Sequence, residues 1–111
     1  MSPGGLDIAT DVHDGHASIA VSGEIDLATV EALVAAVERS APPGGTVEID
    51  LREVDFMDSS GVAALNRCRR LAQELDAAFV VRCRAGSPVA QLLEWTGLVG
   101  VVDVRIEDAP A

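Results

Sequence analysis

The chain has 111 residues, 49% of them hydrophobic and 23% charged, with 10 Gly and 5 Pro. That length suits one domain with a packed core, about 100–200 residues being usual per domain, and the composition excludes a disordered or collagen-like chain. Eight basic against eighteen acidic residues leave a net charge of −10, so phosphodiester backbones and anionic headgroups are repelled, and nucleic acid and membrane surfaces make poor partners.

Leu6, Ile8, Thr10 and Val12 alternate with Asp7, Ala9 and Asp11, which is the period of a half-buried strand over residues 6–12. Asp14-Gly15 supplies the positive φ of a tight hairpin turn. Residues 17–22, with Ala17, Ile19 and Val21 on one face, therefore return antiparallel, and Gly23-Glu24-Ile25-Asp26 ends the pairing. From 28 to 40 the period becomes helical: Val30, Leu33, Val34 and Val37 share a face, while Glu31 and Glu38 point away. Ala41-Pro42-Pro43-Gly44-Gly45 stops that helix, and residues 46–51 alternate again, with Val47, Ile49 and Leu51 inward and Glu48 and Asp50 outward.

Beyond Asp58-Ser59-Ser60-Gly61 a second helix places Leu65, Cys68, Ala72 and Leu75 along one face, with Asp58 or Ser59 as its N-cap. Residues 78–83 read as a buried strand. Ser87 caps and Pro88 opens a short third helix with Val89, Leu92 and Leu93 inward; Gly97 closes it, with Leu98 placed for the contact of a left-handed cap. Val102, Val104 and Ile106 alternate with Asp103 and Arg105 as a last strand, and the tail from Glu107 to Ala111 is expected to fray. The order β-β-α-β-α-β-α-β predicts an α/β fold in a single domain over 1–111, ordered over about 6–106: a mixed β-sheet opened by an N-terminal antiparallel hairpin and covered by helices through right-handed crossovers.

In such folds the loops after the strands' carboxyl ends gather at one sheet edge, the usual place for a site. Two loops of that kind stand out, acidic Gly23-Glu24-Ile25-Asp26 and Phe56-Met57-Asp58-Ser59-Ser60-Gly61, whose hydroxyls lie at a helix N-terminus that favours an anion such as a phosphoryl group. Gly61 permits close backbone approach. Spacing alone leaves two readings of Asp58-Ser59-Ser60, plain helix caps or an anion-bearing site. Phe56 is read as core and Met57 as pointing the other way, an exposed and adaptable contact for a partner.

Cys68 and Cys83 are read as packed thiols in a reducing setting. Trp95 fits either a core edge or a partner contact. His13 and His16 flank a turn with no third ligand at a metal spacing. Arg67, Arg69 and Arg70 do not share one helix face. Arg70 can pair with Glu74 at i, i+4, which leaves Arg67 as a candidate partner contact, while Glu31, Glu38, Asp103 and Glu107 read as solvated.

GEIDLAT at residues 23–29 and FMDSSG at 56–61, in this order within this element string, resemble the STAS domain of bacterial anti-sigma factor antagonists, and so does Gln91-Leu92-Leu93-Glu94-Trp95-Thr96-Gly97-Leu98. The resemblance spans about residues 6–106, with FMDSSG its most specific part. It implies a binding switch. The Ser after the motif Asp, here Ser59, is phosphorylated by a partner anti-sigma factor that is itself an ATP-dependent Ser/Thr protein kinase. The unphosphorylated form sequesters that kinase and frees sigma factor for transcription; a metal-dependent Ser/Thr phosphatase restores it. The same resemblance makes Asp58, Ser60, Gly61, Glu24 and Asp26 partner-binding residues, joined by Met57 and Arg67 from the residue reading.

An enzyme is the rival class. A serine hydrolase needs a poised base, yet both histidines lie in one turn distant in chain from Ser59, and no phosphate-cradling glycine loop with its Lys is present; every basic residue is Arg. The chain is therefore read as not an enzyme, and no cofactor or nucleotide site is called for. Another rival is a STAS docking or scaffold subunit of a stress-signalling or lipid-transport complex, which would not need Ser59. Met1-Ser2-Pro3-Gly4-Gly5-Leu6 lacks the basic region and apolar stretch of a secretory signal, so a soluble, cytoplasmic protein is expected; the sequence leaves the oligomeric state open, with a monomer as the default.

Overall fold

Alternating hydrophobicity becomes a five-stranded sheet in the computed structural model, which describes residues 5–108. The strands β1 (Leu6–His13), β2 (His16–Ile25), β3 (Thr46–Met57), β4 (Ala78–Arg84) and β5 (Asp103–Glu107) lie side by side in chain order. β1 is antiparallel to β2 and the remaining pairs are parallel. The hairpin turns at Asp14 and Gly15, with φ of 49° and 75°, the positive values that a two-residue turn of matching twist requires.

Three helices, α1 (Val30–Ser40), α2 (Ser59–Glu74) and α3 (Pro88–Trp95), each carry the chain to the next strand over. The crossovers all step in one direction, so right-handed connections set the helices on the same sheet face. Burial follows that geometry. Ile19 and Val21 of β2, Ile49 and Leu51 of β3, and Val81 and Cys83 of β4 are buried against Leu33 and Val37 of α1, Leu65 and Cys68 of α2, and Leu93 of α3. Both thiols are core, and burial pushes Cys68 up to about 12 and Cys83 up to about 11. Ser87 accepts the Ala90 amide at 3.1 Å with Pro88 opening α3, and Gly97 adopts φ 77° before a 3-10 turn at Leu98–Gly100.

The opposite face of the sheet is charged. Arg82 reaches Glu107 at 2.7 Å and Glu48 at 3.5 Å, and Arg52 holds Asp50 at 2.8 Å and Glu107 at 3.3 Å. The Arg82 hydrogen bond holds the Glu107 carboxyl below its ordinary value; burial would raise Asp50, but the hydrogen bonds and charge of Arg52 outweigh it and bring it down. Glu107 is thus the last residue of β5 rather than the start of a frayed tail, because the two arginines anchor it. Residues 1–4 and 109–111, which include most of the stretch read for a signal and the end of the tail, lie outside the described residues.

β2 and β3 run further than the alternation suggests, to Ile25 and Met57. Register shifts between Ala20 and Ser22 and between Gly23 and Glu24 place an extra β3 residue opposite β2 each time, as bulges do. After Leu51 the inward positions therefore become Val54 and Met57, not a simple every-second residue. The reading of Phe56 and Met57 is reversed as a result: Met57 is 5% exposed and Phe56 47%. Leu75 is the C-cap of α2 and only half-buried. Arg70 and Glu74 line the surface between α1 and α2 without closing an ion pair among the described residues.

Candidate functional site

The extended β2–β3 pairing brings the two motif loops to one sheet edge. Glu24 pairs in register with Phe56 and Ile25 with Met57, and the Asp58 amide donates to the Ile25 carbonyl at 3.2 Å. Sheet hydrogen bonding thus continues to the residue just before α2. Gly23 has φ 101° and lies against the Gly5 carbonyl, where a Cβ would collide, so the acidic loop leaves β2 through a position only glycine suits. Thr29 then knots the loop: its hydroxyl accepts the Asp26 amide at 3.0 Å and donates to the Glu24 carbonyl at 2.9 Å. Asp26 Oδ1 accepts the Ala28 amide at 3.0 Å, so this carboxylate shapes the loop from within.

Asp58 is the N-cap of α2, in extended backbone, and accepts the Ser60 amide at 2.9 Å. The Ser60 hydroxyl donates to the same carboxylate oxygen. That side-chain hydrogen bond, working against a burial penalty and assisted by the Ser60 amide, holds the Asp58 carboxyl below its ordinary value. Ser59, the first residue of α2, is exposed, and its hydroxyl meets no hydrogen-bond partner among the described residues. The two adjacent serines therefore differ: one hydroxyl is engaged and half-buried, the other is open.

Gly61 sits on Met57 and Ile25, and a Cβ there would fall 2.8 Å from Met57 Sδ and 2.9 Å from Ile25 Cγ2. Gly61 and Met57 are supports beneath the site and not surface contacts. Exposed apolar surface comes instead from Leu27, 80% exposed on the acidic loop, and from Phe56. Leu27 and Thr29 both lie in the GEIDLAT motif, yet the sequence assigns a site role to neither. Periodicity alone does not find Leu27: it is in phase with Val21 and Ile25 of β2 and with Val30 and Val34 of α1, so the sequence reads it as inward and only the loop between the two elements turns it out. On the other side of Ser59 a groove of about 380 Å³ runs between Val62, Ala63 and Asn66 of α2 and the segment Thr96, Gly97, Leu98 and Val101.

Arg67 lies two turns along α2 and turns toward α1, where its guanidinium holds Glu31 at 2.7 Å. Glu31 is thereby paired, and its carboxyl lies below its ordinary value through the hydrogen bond and charge of Arg67. Trp95, at the end of α3, is 77% exposed. His13 and His16 flank the hairpin turn, beside Asp14 and Glu48, and no metal-binding group of side chains occurs among the described residues. No helix among them is long and apolar enough to cross a membrane.

The family model described as "Mlab, STAS domain" matches residues 8–103. No curated protein matches the chain by sequence. Among solved structures, an anti-sigma factor antagonist from Mycobacterium paratuberculosis is 28% identical with a TM-score of 0.80, over 94% of this chain and 88% of that one. The anti-sigma factor antagonist SpoIIAA in its unphosphorylated form is 21% identical with a TM-score of 0.71, over 94% and 89%. The Bacillus cell fate determinant SpoIIAA in the phosphorylated form is 22% identical with a TM-score of 0.64, over 94% and 92%; at these two identities the likeness is one of fold. A family match over most of the chain, with the two motif loops joined at one sheet edge, establishes that this protein belongs to the STAS-domain family.

Proposed function

We propose that this protein is a cytoplasmic anti-sigma factor antagonist, a binding switch and not an enzyme. Its unphosphorylated form binds and sequesters an anti-sigma factor Ser/Thr kinase, which frees sigma factor for transcription. Phosphorylation at Ser59 turns it off, and a metal-dependent Ser/Thr phosphatase resets it. The observation that carries this reading is the open Ser59 hydroxyl at the start of α2, next to the fixed Asp58 carboxylate and on the edge shared with the Glu24–Asp26 loop. The antagonist of known structure at 28% identity supports the general role, and the motif resemblance supports the switch.

A phosphate on Ser59 adds about −1.5 to −2 charge to an edge that already carries Glu24, Asp26, Asp55 and Asp58. The α2 dipole offsets part of that charge within the free protein, so the fold need not rearrange. A partner surface closing over the edge must desolvate the dianion, which costs several kcal/mol, and each 1.4 kcal/mol is about tenfold in affinity. One modification is enough to separate the complex.

The test uses the Ser59→Ala chain as bait and the captured partner with ATP as reagent. Capture by Ser59→Ala, loss of capture by Ser59→Asp, and ATP-dependent phosphate on Ser59 of the unmutated chain are the expected results. Equal capture by both variants, with no phosphate transferred, defeats the reading.

A further inference from the structure

We infer that Ser60 is a positioning residue: by fixing Asp58 in the cap of α2 it leaves Ser59 as the sole phosphoryl acceptor of the pair. This rests on the phosphorylation switch proposed above. Both the amide and the hydroxyl of Ser60 donate to Asp58 Oδ1, the amide at 2.9 Å, so the hydroxyl is directed back at the cap. Ser60 is half-buried and Ser59 exposed. Neighbouring residues on a helix point about 100° apart, so a kinase oriented on one hydroxyl is not oriented on the other.

Phosphoryl transfer makes the difference chemical. The serine oxygen forms a bond to the γ-phosphorus of ATP, the bond to the bridging oxygen breaks, ADP leaves with that electron pair, and the hydroxyl proton passes to the kinase's base. Ser60 can enter this reaction only after breaking its charge-assisted bond to Asp58, which leaves a carboxylate short of a donor beside the incoming phosphate oxygens. Ser59 breaks nothing. The ionised Asp58 is meanwhile held in one orientation next to the reacting hydroxyl, which is what a kinase reading this edge requires.

Four chains decide the matter: wild type, Ser59→Ala, Ser60→Ala and Ser60→Thr. Each is treated with ATP and the kinase captured by Ser59→Ala, its phosphosite is mapped by mass spectrometry, and the Asp58 carboxyl is titrated by NMR on the chain alone. Wild type and Ser60→Thr take phosphate on Ser59 only, and uptake by Ser59→Ala falls to background. Ser60→Ala lowers kcat/KM for transfer to Ser59 and moves the Asp58 midpoint upward, and Ser60→Thr restores both. Phosphate on Ser60 of the Ser59→Ala chain, or an Asp58 midpoint unmoved by Ser60→Ala, overturns the inference. A wild-type chain that accepts no phosphate overturns the switch and the acceptor role together, while the titration still decides whether Ser60 holds Asp58.

Discussion

The Met57 side chain fills the space that a side chain on Gly61 would need, so the first turn of α2 rests directly on the ends of β2 and β3. A methyl at Gly61 would meet Met57 Sδ at 2.8 Å and Ile25 Cγ2 at 2.9 Å, closer than packed atoms tolerate. Gly61→Ala gains up to about 1 kcal/mol of helix propensity but incurs about 1–3 kcal/mol of overpacking, so the urea midpoint falls. Met57→Ala removes the larger obstacle and leaves Ile25. In that background, itself weaker by about 2–5 kcal/mol, Gly61→Ala costs less than it does beside Met57. An equal Gly61→Ala cost with and without Met57 would refute the contact.

This contact also marks where the sequence ceased to be legible. Element order, the Asp14-Gly15 turn, the Ser87-Pro88 start and the Gly97 end of α3 all follow from local backbone chemistry and match the structure. The inward faces of β2 and of β3 up to Leu51 follow from period 2. The β3 bulges do not, because they answer to the register of β2, a partner distant in sequence, and they decide which of Phe56 and Met57 is buried. For the same reason the sequence offers Arg67 as a candidate partner contact and hides its pairing within the chain: Glu31 lies on another helix. Within the site, the nearness of the acidic loop and Asp58 followed from topology, whereas the division of labour between Ser59 and Ser60 needed hydrogen-bond geometry.

The cap makes a separable contribution to stability. Asp58→Ala costs about 1 kcal/mol, within the 0.5–2 kcal/mol common for N-caps, and lowers Tm by about 4–8 °C in a domain of this size. Asp58→Asn keeps an acceptor for the Ser60 amide and loses less. Because the folded Asp58 carboxyl lies below its ordinary value, its charge-dependent stabilisation is complete above the unfolded value of about 3.9 and disappears as pH falls through the folded one. Urea midpoints of wild type and Asp58→Asn should therefore differ most at neutral pH and converge in acid; a gap unchanged in acid contradicts this.

β5 is a short edge strand, and its outer face is held through Glu107 by Arg82 and Arg52. Glu107→Gln should speed amide hydrogen exchange in β5 at neutral pH more than in β2. The carboxyls of Glu107 and Asp50 both lie below their ordinary values, so the stabilisation they give is present at neutral pH and lost as pH falls through their folded values. Acid should make wild-type β5 exchange like the variant. Salt should narrow the difference at neutral pH, since these side chains are partly exposed and screened. Exchange in β5 indifferent to Glu107 would mean that backbone pairing alone retains the strand.

Leu27 separates folding from binding. At 80% exposure it contributes little to the core, so Leu27→Ser should change stability by less than about 0.5 kcal/mol. If the edge it shares with Asp58 is the docking surface, a partner buries it, and a fully buried leucine is worth about 1.5–3 kcal/mol. Capture by the Ser59→Ala bait should then weaken about tenfold to a hundredfold on Leu27→Ser. Val12, 51% exposed beside the hairpin turn at the far end of the sheet, supplies the control, since Val12→Ser should leave both stability and capture unchanged. Equal capture with and without Leu27, in chains of equal stability, places the partner elsewhere and leaves Ser59 to be approached from the groove between α2 and Leu98.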